Sequence, residues 1–345
     1  MEKRLLKISI LIAIGITLII LGCKDFVLSL SSFFIGLLLV SLASDPAIEG
    51  FKGLSKYLKI SEYVVGIISS LASNLPEAIL AIFMVLSPHL REVAILTVIL
   101  ASAFNGLLLG ILVILITYRG GSIEIPREAL EYDLEIMRIT IAFSMIILGT
   151  GLILNVFHGE PYLPIEVSLF SLIAYLSYLY FISRKKEKLH ENEKKMEKNW
   201  VYPLLLGLTG IVISAELIAG ASEYFVHKLD LHVVVAATLI AFAGSVPEHY
   251  LAIIGAHRGH VELGISNLIS GVVQSIMLIF PLLAILVPVY LDGYILYQFL
   301  AIAITLWIIK KAIVDDKKLT LDEGVFILIA HLLGIILFDE LSYLI

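Results

Sequence analysis

Charge is what this 345-residue sequence has least of: 16% of its residues are charged, against about 25% in a soluble globular protein. Hydrophobic residues make up 59%, and the mean hydropathy is +1.00. So few charges cannot cover that much apolar surface in water, which excludes a soluble enzyme and a disordered chain. Basic excess is also lacking. The net charge of −6 argues against a nucleic-acid partner. Cysteine occurs once, at Cys23, so neither a disulfide framework nor a cysteine metal cluster can form. No Walker-type phosphate loop occurs either, and the chain carries no ATPase motif of its own.

Long apolar runs are what the sequence does have. A membrane helix needs about 20 predominantly apolar residues. Eleven such runs lie near 5–22, 29–50, 62–86, 92–117, 137–156, 163–183, 201–224, 232–255, 262–288, 293–310 and 323–343. With the N-terminus inside the cell, all of the 24 basic residues except Lys24, Arg91 and Lys228 fall on the cytoplasmic side. The expected orientation is therefore a cytoplasmic N-terminus, an outside C-terminus, and a multi-pass location in the cell membrane. Met1–Cys23 has a second reading, since its basic start, apolar run and Leu21-Gly22-Cys23 resemble a lipoprotein signal; a retained first helix fits the same residues. Residues 184–199 mix both signs and read as a charged cytoplasmic linker.

The two sides of that linker match at an offset of 171 residues. Pro76-Glu77-Ala78-Ile79-Leu80-Ala81-Ile82 and Pro247-Glu248-His249-Tyr250-Leu251-Ala252-Ile253 share five of seven residues. Asp45 pairs with Glu216 at the same offset, and Ala72 with Ala243. Five crossings per half is an odd number, so the second half enters from the opposite side. That is an inverted repeat, the usual plan of a secondary transporter. The fold class expected is thus an all-α polytopic membrane protein. It has an N-terminal helix in 1–27, a first repeat over 28–183, the linker 184–199 and a second repeat over 200–345.

Away from span ends the apolar runs hold four acids: Asp45, Glu77, Glu216 and Glu248. A charge at the bilayer centre costs about 2.5–3.5 kcal/mol even on lenient scales. Two facing carboxylates also repel each other, so such a pair must be loaded with a cation or with protons, and that obligatory loading is the seed of exchange. Pro76 and Pro247 lack an N–H and leave the carbonyls of Ala72 and Ala243 without a helical donor. Free carbonyls at that depth survive where they line a cavity. A hard cation such as Ca²⁺ takes six to eight oxygens from carboxylates, amides, carbonyls and water. Asn74, Asn105 and Gln274 supply amides in apolar surroundings, and each also fits a purely structural role between helices.

These residues resemble the two α-repeats of the calcium/cation antiporter superfamily, whose motifs read Gly-Thr-Ser-x-Pro-Glu or Gly-Asn-x-x-Glu. The first motif here is Ser73-Asn74-Leu75-Pro76-Glu77 and the second Gly244-Ser245-Val246-Pro247-Glu248-His249. Leu263-Gly264, Gln274 and Pro281, with Asn105 and Gly120-Gly121 in the first half, look most like the cation/proton exchanger branch. The resemblance implies ten core helices, short broken helices at the site, and sliding of the first two helices of the halves. It implies Glu77 and Glu248 as ion-coordinating, proton-exchanging carboxylates with Asn105 and Gln274 as neighbouring ligands. Asn74, Ser73, Ser245 and the Ala72 and Ala243 carbonyls complete the candidate set. Asp45 and Glu216 are candidates for gating or for supporting the ligands, and His249 for moving protons. Departures are the missing leading glycine of the first motif and the small residues Ala101 and Gly271, where sodium/calcium exchangers often carry Ser. Fewer hydroxyls favour protons over sodium as the coupling ion.

The expected activity is exchange of Ca²⁺, or a related divalent cation, for H⁺, with a Na⁺/Ca²⁺ exchanger as the alternative. The expected partners are the lipid bilayer and inorganic cations, with no cofactor, and no motif sets an oligomeric state. An intramembrane enzyme would need a nucleophile–base pair or a histidine cluster, which the repeated Pro-Glu does not provide.

Overall fold

A computed structural model describes residues 2–57, 62–118, 120–124, 131–159, 161–184, 200–242, 245, 261–337 and 341. Within them the chain runs as α1 (Glu2–Leu21), α2 (Phe26–Tyr57), α3 (Glu62–Leu86), α4 (Arg91–Thr117), β1 (Ser122–Glu124), α5 (Glu131–His158) and α6 (Ile165–Arg184). It continues with α7 (Val201–Lys228), α8 (Val233–Phe242), α9 (Val261–Gln274), α10 (Phe280–Leu286), α11 (Gly293–Lys311), β2 (Lys318–Thr320) and α12 (Leu321–Ile336). Single π-turns at Ser275–Ile279 and Ala312–Asp316 join α9 to α10 and follow α11. Seven of the described helices are long and apolar enough to span a membrane, and the protein is an all-α polytopic membrane protein. Their outward faces keep large apolar side chains exposed, Ile20 at 77% and Phe157 at 75%, as a bilayer as solvent requires. The linker 185–199 and most of the second half of the eighth expected span lie outside the described residues.

The helices gather into two compact units, residues 1–97 with 177–244, and 98–176 with 245–345. Each unit takes helices from both sides of the linker. In the first unit α2 and α7 run antiparallel along their whole length. Gly53 faces Trp200 at one end, Gly36 faces Ser214 and Ile218 midway, and the rings of Phe33 and Phe225 lie 5.8 Å apart towards the other. The contact is close because it is built from small residues. A Cβ on Gly207 would stand 2.8 Å from the Ala43 carbonyl oxygen, so no larger side chain fits. Lipid offers no hydrophobic drive for helix association, and such small-residue contacts gain their stability from van der Waals packing. Ile8 of α1 is sealed between the two with Leu39, Ala43, Ala47 and Ile211. Arg4, one turn earlier, forms an ion pair with Asp45 of α2. At the opposite end Cys23 sits beside Gly220, and His89 stacks on His227 at 5.0 Å.

The second unit is organised by α11 on α5 and by α12 on α4. Phe280 and Phe299, both fully buried, meet edge to face at 5.1 Å. Asp292 caps α11 by accepting from the Ile295 N–H at 2.7 Å, and Thr320 with Glu323 forms a capping box on α12. The loops that charge counting assigns to one side meet within this unit. β1 and β2 pair antiparallel, Ile123 opposite Leu319, and Tyr162 bridges to Tyr290 between the two loops assigned to the other side. The expected spans hold one surprise: α3 continues as helix through Pro76, where a broken helix was expected at the site, and α2 likewise runs on through Pro46.

Candidate cation site

Asn74, Pro76 and Glu77 sit in the middle of α3, where Asn74 is 4% and Glu77 9% exposed. Ala72, one turn earlier, is buried as well. A proline at 76 cannot donate to the carbonyl four residues back, so α3 passes its carboxylate through the membrane beside a carbonyl lacking its helical partner. Glu77 lines a cavity of about 10 Å³, room for one water-sized sphere. Its described walls come from α2, α3, α7, α8 and the start of α4, all within the first unit, and among the described residues Thr97 and Ser214 are the other polar ones.

Of the two acids matched across the repeat, Asp45 is engaged by Arg4. Glu216 instead lines a larger cavity of about 350 Å³ with Glu223, His227, Cys23 and Ser32. Glu223 lies two turns beyond Glu216 on α7 and was not singled out in the sequence, because it falls at a span end.

In the second unit Asn105 is 1%, Ser245 3% and Gln274 3% exposed. Asn105 of α4 lies against Gly271 of α9, where a Cβ would meet its carboxamide at 2.6 Å. Gly271, which in the sequence stood as a missing hydroxyl, is thus the space into which Asn105 fits. Gln274 donates from Nε2 to Ser270 Oγ at 2.9 Å, one turn back on the same helix. Immediately after Gln274 the helix widens into the π-turn, a feature that frequently marks functional sites. Pro281 accounts for its place, since a proline cannot supply the α-type hydrogen bond there. The structure thus brings Asn105 and the Gln274 helix together, and gathers Glu77 with Thr97 and Ser214. Glu248, His249, Ala243 and the Ser73 side chain lie outside the described residues.

His331, fully buried, pairs its Nε2 with Thr305 Oγ1 at 3.0 Å and acts within the packing of α11 and α12. Among the described residues no group of three or more His, Cys, Asp or Glu is placed to hold a metal ion. The described candidate residues offer the Glu77 carboxylate with amide, hydroxyl and backbone oxygens, the donor types of a hard ion.

Apolar helices in two compact units, with buried carboxamides and a proline-flanked carboxylate, define a multi-pass membrane transporter. A sequence profile of the sodium/calcium exchanger protein family matches residues 28–184 and 200–340, and the chain belongs to that family. It is an exchanger of cations and not an enzyme. An uncharacterised membrane protein of Methanocaldococcus jannaschii is 24% identical over 256 residues, 72% of this chain and 79% of the relative. The fold is shared with the crystal structure of the H⁺/Ca²⁺ exchanger CAX at a TM-score of 0.76 and 17% identity, covering 99% of this chain and 90% of that one. It is shared also with the sodium-calcium exchanger NCX_Mj at a TM-score of 0.59 and 19% identity, covering 90% and 98%.

Proposed function

We propose that this chain is a secondary antiporter that exchanges Ca²⁺, or a related divalent cation, for H⁺ across the cell membrane. Glu77 and Glu248 are the carboxylates that carry either load, with Asn105, Gln274, Asn74, Ser245 and the Ala72 and Ala243 carbonyls as neighbouring ligands. The observation that carries this reading is Glu77 itself, an acid 9% exposed at mid-helix in an exchanger-family chain. A buried carboxylate in a membrane is affordable only when loaded. The halves 28–183 and 200–345 act as inverted repeats, a reading supported by the antiparallel course of α2 and α7. Lysine and arginine counts place the N-terminus inside.

The test is Ca²⁺ uptake into proteoliposomes driven separately by a pH gradient and by a sodium gradient. Uptake under the pH gradient is expected; uptake under sodium alone would assign the chain to the sodium-coupled reading. Glu77→Gln and Glu248→Gln should each stop uptake while leaving a folded, monodisperse protein. Transport retained in both variants would remove the carboxylates from the site.

A further inference from the structure

The polar residues around the small cavity do not all have equal partners. Thr97, on α4, is 2% exposed, and its Oγ1 has no hydrogen-bond partner. A buried hydroxyl left unbonded costs free energy on the order of 1–3 kcal/mol, and native interiors rarely tolerate it. Threonine in a membrane helix normally escapes by donating to the carbonyl one turn back, as Thr117 and Thr140 do in this chain at 2.6 and 2.9 Å. Thr97 does not. It lines instead the cavity it shares with Glu77 and Ser214, whose remaining walls, such as Val40, Ile218 and Ile240, are apolar.

Size and chemistry together select the occupant. About 10 Å³ admits one water and no hydrated ion. A dehydrated divalent cation would want six or more oxygens, which one carboxylate and two hydroxyls do not supply. A buried water wants two to four polar partners, and this cavity offers three. Ser214 already spends its own proton on the Ile211 carbonyl at 2.8 Å, so its Oγ is left to accept.

We propose that this cavity holds one structural water that Thr97 fixes against Glu77, making Thr97 a positioning residue for the exchanging carboxylate. Thr97 Oγ1 donates to the water. The water donates one hydrogen to a Glu77 carboxylate oxygen and the other to Ser214 Oγ, so every hydrogen in the network has an acceptor. Among the described residues, Glu77 is the only ionisable side chain lining the cavity. On the elements packed around it, Asp45 is held by Arg4, and Glu216 belongs to the larger cavity. The water therefore gives a Glu77 carboxylate oxygen a donor from an otherwise apolar wall and holds the side chain in one orientation. This inference rests on Glu77 being an exchanging carboxylate.

The experiment compares Thr97→Val, which keeps the shape and removes the hydroxyl, with Thr97→Ser, which keeps the hydroxyl. In the full-length protein, Thr97→Val should lower the thermal midpoint by about 1–4 °C, as expected when a bonded hydroxyl is lost. In proteoliposomes the apparent KM for Ca²⁺ uptake should rise about three- to tenfold in Thr97→Val, with turnover at saturating Ca²⁺ changed less. Thr97→Ser should follow the parent protein in both. A dry cavity predicts the opposite thermal sign, because valine would remove an unsatisfied hydroxyl. A raised midpoint, or a Ca²⁺ concentration dependence that superimposes on the parent's, overturns the proposal. Glu77→Gln measured alongside separates the two levels: if it still transports, the exchanger reading of Glu77 fails, and the thermal comparison alone decides whether the water is there.

Discussion

The two compact units carry different candidate side chains. Of the described candidates, the first holds the carboxylates Asp45, Glu77 and Glu216 and the single amide Asn74; the second holds no candidate carboxylate but the amides and hydroxyls of Asn105, Ser245, Ser270 and Gln274. Carboxylates compensate charge, and in a membrane that compensation decides whether a divalent ion enters at all. Amides complete a coordination shell without changing its charge, so they adjust affinity. Close glycine contacts pack both units, Gly207 against Ala43 and Ala47 in the first and Gly110 against Leu328 in the second, and the second adds helix caps, buried aromatic rings and a strand pair.

Substitutions can break this comparison or sharpen it. Glu77→Gln, which deletes charge at almost constant volume, should reduce uptake about 100-fold or more. Asn105→Ala or Gln274→Ala should cost only about tenfold in apparent cation affinity, an effect of hydrogen-bond size. If the amide variants are as inactive as Glu77→Gln, the division between charge carriers and affinity setters fails. Gly207→Leu should destabilise the protein by about 1–3 kcal/mol, seen as a lower thermal midpoint, because its Cβ alone already meets the α2 backbone. Gly149→Ala on α5 is the control: nothing lies within 4 Å of its Cβ, so a neutral or slightly higher midpoint is expected. Arg4→Ala should have the smallest effect, within about 1 kcal/mol, since both side chains of its ion pair are about 40% exposed. Its effect should shrink further in high salt.

How much of this could be seen in the sequence depended on the range of the interaction. Spans announce themselves in composition, and Pro76-Glu77 stands out because its neighbours are so apolar. Asn105 and Gln274 were visible for the same reason. Thr97 was not, since threonine is an unremarked filler in a run such as Val93–Leu100, and its meaning comes from a cavity walled by four other helices. The partner of Asp45 lies 41 residues away in a helix with a separate reading of its own. Gly271 looked like an absence until Asn105 was seen to occupy the space beside it. The two strands, three residues each, are too short to leave any periodic trace. Pro76 misled in the other direction: a proline removes a hydrogen bond, yet α3 runs on through it as helix.

The π-turn at Ser275–Ile279 has an accounting consequence for comparing relatives. A π-turn lodges one residue more than the α-helical turn it replaces. On a regular helix one residue is worth about 100° of rotation, so faces drawn on an uninterrupted wheel from Val261 to Leu286 would be misassigned beyond Gln274. Homologues whose span is regular should align here with a one-residue gap. Removing a single residue from this turn should therefore be tolerated better than a deletion anywhere else in the same span.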